Sequence, residues 1–250
     1  MGTVEEPDEK HVAQEQTSKA PVRGSRRRRL LKSPWLHLVL AVVVVALVQG
    51  FLVKVYQIPS GSMEQTLNVG DRVLVNRTAY VSSTPQRGDV VVFRRTAAWG
   101  PTAEHNPLRT AVGWFGDLTG IGPGNTEYLV KRVIGVPGDT VSCCDAQGRV
   151  MVNGKAIDEP YIYQDLPFIP SAGREHCTMQ SWSPRCFAAV TLGADQYLVL
   201  GDHRSNSSDS VSACRGPRAD TNCGRLISKE EIIGTAWFVM WPPEGLRIVH

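Results

Sequence analysis

The feature that most constrains this chain is a single apolar stretch near its start. Between Lys32 and Lys54 there are 21 consecutive residues without an Asp, Glu, Lys or Arg, and Leu, Val and Ala dominate them. As an α-helix rising about 1.5 Å per residue, the stretch spans roughly 31 Å, which is close to the hydrocarbon thickness of a bilayer. The sequence therefore predicts one transmembrane anchor at residues 34–54.

Charge on the two sides of this stretch predicts its orientation. Residues 1–33 carry eight Lys or Arg against five Asp or Glu, whereas residues 54–250 carry nineteen of each. Because positively charged flanks stay in the cytoplasm, residues 1–33 are predicted to form a disordered cytoplasmic tail. Residues 55–250 then form an extracytoplasmic domain on the cytoplasmic membrane. That domain has no excess of basic residues, so no nucleic-acid partner is expected.

A cleavable secretory signal is the alternative explanation of the same N-terminus. An arginine-rich start and an apolar run describe both, but this run is longer than the roughly 7 to 15 apolar residues of such a signal. Residues 54–57, Lys-Val-Tyr-Gln, also offer no small-x-small cleavage site. Both observations favour an uncleaved anchor, and the mass of the mature N-terminus distinguishes the two.

Six cysteines lie on the predicted outer side, where disulfides form. They are Cys143, Cys144, Cys177, Cys186, Cys214 and Cys223. The nine-residue spacings of 177/186 and 214/223 suggest two locally closed loops. Either member of the 143/144 pair could equally reach into the 177/186 segment. A zinc site is disfavoured because no pair has the C-x-x-C spacing of a zinc knuckle, and no metal or other cofactor is expected.

The outer domain is predicted to be all-β. Short segments rich in Val, Ile and Tyr alternate with Gly and Pro, and each has the length of a strand. They are residues 72–75, 89–93, 129–134, 140–143, 150–152 and 196–200. Asn153-Gly154 is a two-residue hairpin signal, because both turn positions favour φ > 0. Residues 94–127 and 156–195 are longer than ordinary connections and are predicted to be inserted loops or an appended lobe.

Two side chains of this domain have the chemistry for nucleophilic catalysis. A serine hydroxyl is a poor nucleophile until a base removes its proton, and a lysine serves as that base only when its amine is neutral. Ser62 lies in a turn shaped by Gly and Pro. Lys131 lies in an apolar strand, on one face with Leu129 and Val133. Burial there would lower the pKa of the lysine from about 10.4 towards 7 or 8. Taken alone, each could equally be an ordinary turn serine or a surface lysine.

Four motifs in a fixed order connect these two residues. They are Pro59–Met63 with Thr66, Leu67, Gly70 and Asp71; Arg87–Phe93; Lys131–Asp139; and Gly201–Ser210. In this order, directly after an apolar anchor, the motifs resemble bacterial type I signal peptidase (leader peptidase), a Ser/Lys serine protease family. The resemblance covers the chain from residue 51 to about 241. It implies coiled β-sheets in a partial barrel with an appended hairpin lobe.

The resemblance implies roles for individual residues. Ser62 would be the acylating nucleophile, Lys131 the general base, and Ser207 would hydrogen-bond the lysine amine and orient it. The hydroxyl of Ser60 and the backbone N–H of Ser62 would form the oxyanion hole. The residues expected to line shallow substrate pockets for small side chains are Ile58, Pro59, Met63, Leu67, Leu129 and Val130. The residues expected to support the site structurally are Asp202, Arg204 and Asp209.

One position departs from the family pattern at Asp209. The motif Asp209-Ser210 is usually followed by an arginine that pairs with the aspartate, but Val211 stands there. Asp209 is therefore expected to use Arg215 or Arg204 instead.

A second departure from the family pattern, at His203, suggests an alternative catalytic triad. His203 occupies a position that is often asparagine, so Ser62, His203 and Asp202 could be grouped as a triad. Adjacent positions in a turn at a strand end point apart, which disfavours this grouping.

These observations predict a membrane-anchored serine endopeptidase. It would cleave N-terminal signal peptides from exported preproteins after small-x-small sites, such as Ala-x-Ala, through an acyl-enzyme. Its partners would be those signal peptides, membrane lipid and, by proximity, the protein export machinery. A self-cleaving repressor-type Ser/Lys protease and a membrane-tethered β-domain without chemistry are the alternatives. Repressor-type proteases are soluble, whereas this chain has a predicted anchor.

Overall fold

One apolar helix precedes the folded domain. The computed structural model describes residues 2, 33–100, 107, 110, 113, 127–168, 177, 183–215 and 223–250. Nearly all of the predicted tail, and most of the 94–127 insertion, lie outside them. Helix α1 (Pro34–Leu47) continues into a π-helical turn, Val48–Leu52, and the 19 residues together are long and apolar enough to cross a membrane. The anchor stays a prediction, because length and composition are the only grounds for it in this helix.

The remainder of the described chain is built from twelve strands. They are β1 (Val53–Gln57), β2 (Arg72–Asn76), β3 (Val90–Arg94), β4 (Tyr128–Gly135), β5 (Thr140–Cys143), β6 (Val150–Val152), β7 (Lys155–Ala156), β8 (Phe187–Thr191), β9 (Gln196–Leu200), β10 (Ile227–Ser228), β11 (Ile232–Trp241) and β12 (Arg247–Ile248). The larger sheet has eight strands in the order β1-β2-β11-β3-β4-β9-β10, with β12 paired to β11. The smaller sheet has the order β7-β6-β5-β8. The all-β prediction is confirmed.

Local sequence explains where these strands form. In β2, β5 and β6, buried residues alternate with more exposed ones, as expected for strands with one covered face. Strand β4 is instead buried continuously from Lys131 to Gly135, because both of its faces are covered. The predicted hairpin joins β6 to β7: Asn153 and Gly154 have φ of 51° and 76°, which suits a two-residue turn.

The smaller sheet incorporates part of a segment that was predicted as an insertion. Strand β8 lies within residues 156–195 and pairs with β5, where Val141 faces Val190. The buried face of this sheet contributes Val150, Val152 and Phe187 to a hydrophobic cluster. The cluster also includes Ile134 of β4 and residues of β9, so the smaller sheet packs against the β4–β9 part of the larger one.

Strand β11 occupies the centre of the larger sheet. It pairs with β2 on one side and β3 on the other, and Val239 is fully buried. The C-terminal half of the strand also has an exposed side, because Trp237, Met240 and Trp241 are exposed. The strand therefore combines a buried face with an exposed aromatic surface of the kind favoured at a membrane interface.

The six cysteines form three disulfides. Cys177–Cys186 and Cys214–Cys223 close the two nine-residue loops suggested by spacing, and the adjacent Cys143 and Cys144 pair with each other. The sulfur atoms of Cys144, Cys177 and Cys186 lie within 4.8 Å of one another, but each belongs to a disulfide and offers no thiolate to a metal.

Candidate active site

Ser62 lies in a single 3₁₀ turn, Gly61–Met63, that follows β1. The base of this loop is fixed by two backbone hydrogen bonds: Ile58 N donates to Asp71 O at 2.8 Å, and Gly70 N donates to Ile58 O at 2.9 Å. Only 8% of Ser62 is exposed. The nucleophile predicted from sequence is therefore held in a closed loop, with its hydroxyl directed at the protein interior.

A second turn packs directly against the serine. The backbone N–H of His203 donates to Ser62 O at 3.1 Å. A Cβ placed on Gly201 would lie 2.5 Å from Ser62 O and would also collide with the side chain of Ser207. Real Cβ atoms do not approach this closely, so only glycine lets the 201–207 turn reach the nucleophile loop.

Lys131 reaches the serine from β4. Its Nζ lies 2.5 Å from Ser62 Oγ and donates to Val130 O at 3.1 Å. Only 3% of the lysine is exposed. Leu129 and Val133 contact one hydrophobic cluster, which agrees with the strand face predicted for Leu129, Lys131 and Val133. The sequence placed these two catalytic candidates 69 positions apart, and the sheet brings them into hydrogen-bonding contact.

Burial changes the chemistry of this amine. Desolvation is the largest influence and lowers the pKa of Lys131 from 10.5 to about 8. The carboxylates of Asp209 and Asp202 raise this pKa, and the guanidinium of Arg225 lowers it. With a pKa of about 8, about a tenth of the amine is neutral at pH 7, and this neutral form is the one that a general base requires.

Two further predicted site residues, Ser60 and Ser207, make no hydrogen bond to the amine of Lys131 among the described residues. Ser60 precedes the 3₁₀ turn and is exposed, so its hydroxyl is open to an incoming peptide. The Oγ of Ser207 is buried and has no hydrogen-bond partner among the described residues. The hydrogen bond predicted from Ser207 to Lys131 is thus not made in this structure. Its orienting role stays a prediction.

The residues predicted to line the substrate pockets fall into two groups. Ile58, Met63 and Leu67 are at most 3% exposed and belong to one core cluster. Pro59 is exposed, and Leu129 and Val130 are half-buried. The first group can form only the floor of a binding surface, whereas the second can touch a peptide directly.

A buried ion pair supports the site from behind. The guanidinium of Arg132 donates from Nε and Nη2 to the two carboxylate oxygens of Asp202, at 2.9 and 2.7 Å. Thr66 Oγ1 donates to the same carboxylate at 2.6 Å, and the ring of Tyr161 lies 3.9 Å from the guanidinium carbon. Asp202 was predicted as a structural residue, but sequence gave no sign of Arg132 or Tyr161 as its partners. The pair joins the nucleophile loop, β4 and the 201–207 turn.

The other two predicted support residues also have charged partners. Arg204 Nη2 donates to Glu159 Oε1 at 2.5 Å, and its Nε donates to Gly201 O at 3.1 Å. Asp209 accepts from Arg215 Nη2 at 3.2 Å. Of the two partners expected for Asp209, the structure therefore selects Arg215, because Arg204 is engaged by Glu159.

The alternative triad is not assembled. His203 Nδ1 lies 3.0 Å from Glu64 Oε2 and 3.2 Å from Gly61 O, whereas Asp202 is bound by Arg132 and Thr66. The adjacent side chains point to different partners, as expected for a turn. Glu64, which the sequence gave no reason to single out, links the imidazole to the nucleophile loop.

An all-β fold that holds a serine hydroxyl against a buried amine is that of a serine hydrolase. A family model described as signal peptidase, peptidase S26, matches residues 31–241. Signal peptidase I of Mycobacterium tuberculosis (strain CDC 1551 / Oshkosh) is 34% identical over 229 residues, covering 85% of this chain and 73% of that protein. Signal peptidase I S of Bacillus subtilis (strain 168) is 30% identical over 210 residues, covering 84% and 89%. The chain belongs to the signal peptidase family S26.

Comparison with solved structures gives a similar protein. The crystal structure of a signal peptidase I from Enterococcus faecalis V583 matches with a TM-score of 0.31 and 20% identity, covering 61% of this chain and 97% of that one.

Membership of the signal peptidase family makes this protein a serine protease that cleaves signal peptides. The family assignment rejects the non-enzymatic β-domain left open by the sequence.

Proposed function

We propose that this protein is a membrane-anchored endopeptidase that removes signal peptides from exported preproteins after small-x-small sites, with Ser62 as nucleophile and Lys131 as base. The supporting observation is the 2.5 Å contact between the buried Lys131 Nζ and Ser62 Oγ. Helix α1 supports an anchored enzyme. The excess of Lys and Arg in residues 1–33 supports a cytoplasmic N-terminus with residues 55–250 outside. An anchored site would meet a substrate that is itself still held in the lipid and close to the export machinery.

Acylation begins with the neutral amine of Lys131. The amine takes the proton of the Ser62 hydroxyl as Oγ attacks the scissile carbonyl carbon, and the carbonyl oxygen becomes an oxyanion. The exposed hydroxyl of Ser60 and the backbone N–H of Ser62 would donate to that oxyanion, a type of contact worth about 2.7 to 4 kcal/mol per donor. The ammonium of Lys131 then protonates the nitrogen of the mature protein, the C–N bond breaks, and an ester to Ser62 remains.

Deacylation repeats the proton transfers with water. The amine, neutral again, removes a proton from a water molecule as the water oxygen attacks the ester carbon. The bond to Ser62 Oγ breaks, the serine recovers its proton from Lys131, and the signal peptide leaves with a free carboxylate. The amine of Lys131 accepts and returns the proton in both acylation and deacylation, so the mechanism requires neither metal nor organic cofactor.

Preference for small residues follows from the packed floor of the site. Ile58, Met63 and Leu67 are fixed in the core and cannot withdraw to admit a large side chain. Replacing the Ala before the scissile bond of a preprotein by Phe should lower kcat/KM at least about 100-fold. Mass spectrometry of the new N-terminus and initial rates measure this, with Ser62→Ala enzyme as the blank and an Ala-to-Gly substrate as the control. Equal cleavage of the Phe substrate would contradict the proposed specificity.

The pH dependence of processing tests the base. Because only the neutral amine accepts the proton, kcat/KM should rise about tenfold per pH unit below a pKa of about 8 and level off above it. Rates with a full-length enzyme in detergent, measured from pH 6 to 10, check this, and circular dichroism at each pH confirms that the enzyme stays folded. A rate that is flat from pH 9 down to 6 is incompatible with Lys131 acting as a neutral base.

A further inference from the structure

Behind the catalytic amine lies a carboxylate with no solvent exposure. Asp209 is 0% exposed, and its charge raises the pKa of Lys131. Its Oδ1 accepts from Ser212 Oγ at 3.0 Å and from Val211 N at 3.3 Å, and its Oδ2 accepts from Arg215 at 3.2 Å. A buried charge needs such partners, so Arg215 is the cation that compensates it.

A second arginine holds the backbone of the same turn. Arg225 Nη2 donates to Asp209 O at 3.0 Å and to Ser208 Oγ at 3.1 Å, and the backbone N of Arg225 donates to Ser210 O at 2.8 Å. The guanidinium carbon lies 5.2 Å from the ring centre of Trp99. Residues 208–210 are therefore bound at three points by one residue, whose charge acts on Lys131 in the opposite direction to that of Asp209.

A disulfide connects the two arginines. Cys214 directly precedes Arg215, and its partner Cys223 lies two residues before Arg225. Cys214 is fully buried in a hydrophobic cluster, so the covalent link is anchored in the core. The two cations thus approach Asp209 from segments that are tied to each other.

We propose that Arg215 and Arg225 are positioning residues of the proteolytic site: joined through Cys214–Cys223, they fix the Asp209 turn and offset its negative charge behind Lys131. This inference rests on the proposed function, in which Lys131 is the base. The charged groups that act on the amine are Asp209, Asp202 and Arg225. Asp202 is already neutralised by Arg132. The charges that remain to act on the amine of Lys131 are therefore those of Asp209 and its two arginines.

The sign of the effect can be worked out from these charges. Removing a cation near the amine favours the ammonium form, so loss of Arg225 raises the pKa of Lys131. The neutral, active fraction at pH 7 then falls, while the rate at high pH, where the amine is neutral in both proteins, is preserved. A merely structural loss would instead lower the rate by the same factor at every pH.

The experiment compares pH profiles of kcat/KM for full-length wild type, Arg225→Gln, Arg225→Lys and the control Arg149→Gln, whose side chain is 55% exposed in an i,i+4 surface pair. Arg225→Gln should move the acid limb of the profile, where kcat/KM rises with pH, to higher pH by at least about 0.5 unit. At pH 7 this shift corresponds to a loss of about threefold in kcat/KM. Arg225→Lys and Arg149→Gln should retain the wild-type limb. Arg215→Gln, which uncovers the charge of Asp209, should shift the limb in the same direction as Arg225→Gln.

The outcomes separate this inference from the function on which it rests. A wild-type limb near pH 8 together with an unshifted limb in both glutamine variants would overturn the positioning role and leave the base assignment intact. Absence of the limb in wild type would overturn the base assignment first. The disulfide is tested by Cys214→Ser/Cys223→Ser against Cys177→Ser/Cys186→Ser: only the first pair should shift the limb, and an unshifted limb there removes the disulfide from the proposal.

Discussion

Replacing Lys131 by methionine is expected to lower the rate of preprotein processing by about 10⁴-fold or more and, at pH 7, to raise the thermal midpoint of the protein. The loss of activity follows because removing one member of a nucleophile–base pair abolishes almost all of its catalysis. Methionine has nearly the length of lysine and no charge, so it fills the same space. The gain in stability follows from the burial of the amine.

The direction of the stability change comes from proton linkage. A drop in the pKa of Lys131 from 10.5 to about 8 means that the folded state disfavours the ammonium by about 3 kcal/mol below pH 8. Between pH 8 and 10.5 the unfolded state binds more protons than the folded state, so the wild type becomes more stable as pH rises. Methionine avoids this cost but leaves the Ser62 hydroxyl without its partner, at about 1 kcal/mol. A net gain of about 2 kcal/mol at pH 7 corresponds to roughly 4 to 8 °C.

The measurement is thermal unfolding followed by circular dichroism on the full chain in detergent, at pH 7 and at pH 10.5. Lys155→Met is the matched control, since Lys155 is exposed on β7 and its replacement should change neither activity nor midpoint. The advantage of Lys131→Met should shrink towards zero at pH 10.5. If the midpoint of Lys131→Met at pH 7 is equal to or below that of the wild type, burial of the ammonium form of Lys131 does not destabilise the folded state.

The local pattern of apolar and polar residues was sufficient to predict several strands of the fold. The segments at residues 140–143 and 150–152 coincide with β5 and β6, because alternation and β-branched residues act within a few positions. The Asn153-Gly154 turn was predictable for the same reason. The contact of Ser62 with Lys131 was predictable only through the order of the motifs, since nothing local in either residue distinguishes it from an ordinary turn serine or strand lysine.

The partners of buried charges could not be predicted from the sequence. Glu159 lies in a segment that sequence assigned to an insertion, yet it pairs with Arg204 beneath the 201–207 turn. Such pairs join residues far apart in the chain, and their choice depends on which side chains the sheets bring together. Spacing alone left Arg204 and Arg215 as equal candidates for Asp209, and only the competing contact of Arg204 with Glu159 separates them.

The second large effect is expected at Arg132, which follows the catalytic lysine in β4. The side chains of Arg132 and Asp202 are 2% and 1% exposed, and two parallel hydrogen bonds join them. Replacing Arg132 by methionine would leave the carboxylate of Asp202 with the hydroxyl of Thr66 and no hydrogen-bonded cation. An uncompensated buried charge typically costs about 3 to 5 kcal/mol, far more than the pair itself contributes relative to apolar residues.

Urea unfolding of the full chain in detergent tests this expectation. Arg87→Met is the control: Arg87 is 39% exposed, and its partner Asp139, at 9%, would still accept hydrogen bonds from Val136 N and Asn153 Nδ2, so a smaller loss is expected. Arg132→Met should lose about 3 to 5 kcal/mol, and Arg132→Met/Asp202→Asn should recover a large part of that loss, because the unpaired charge is gone. A single variant no less stable than Arg87→Met, or a double variant that loses the sum of both single effects, would mean that the pair does not hold a buried charge. The stability of the site would then depend on packing around Tyr161 and the nucleophile loop, with the Arg132–Asp202 contact only a consequence of that packing.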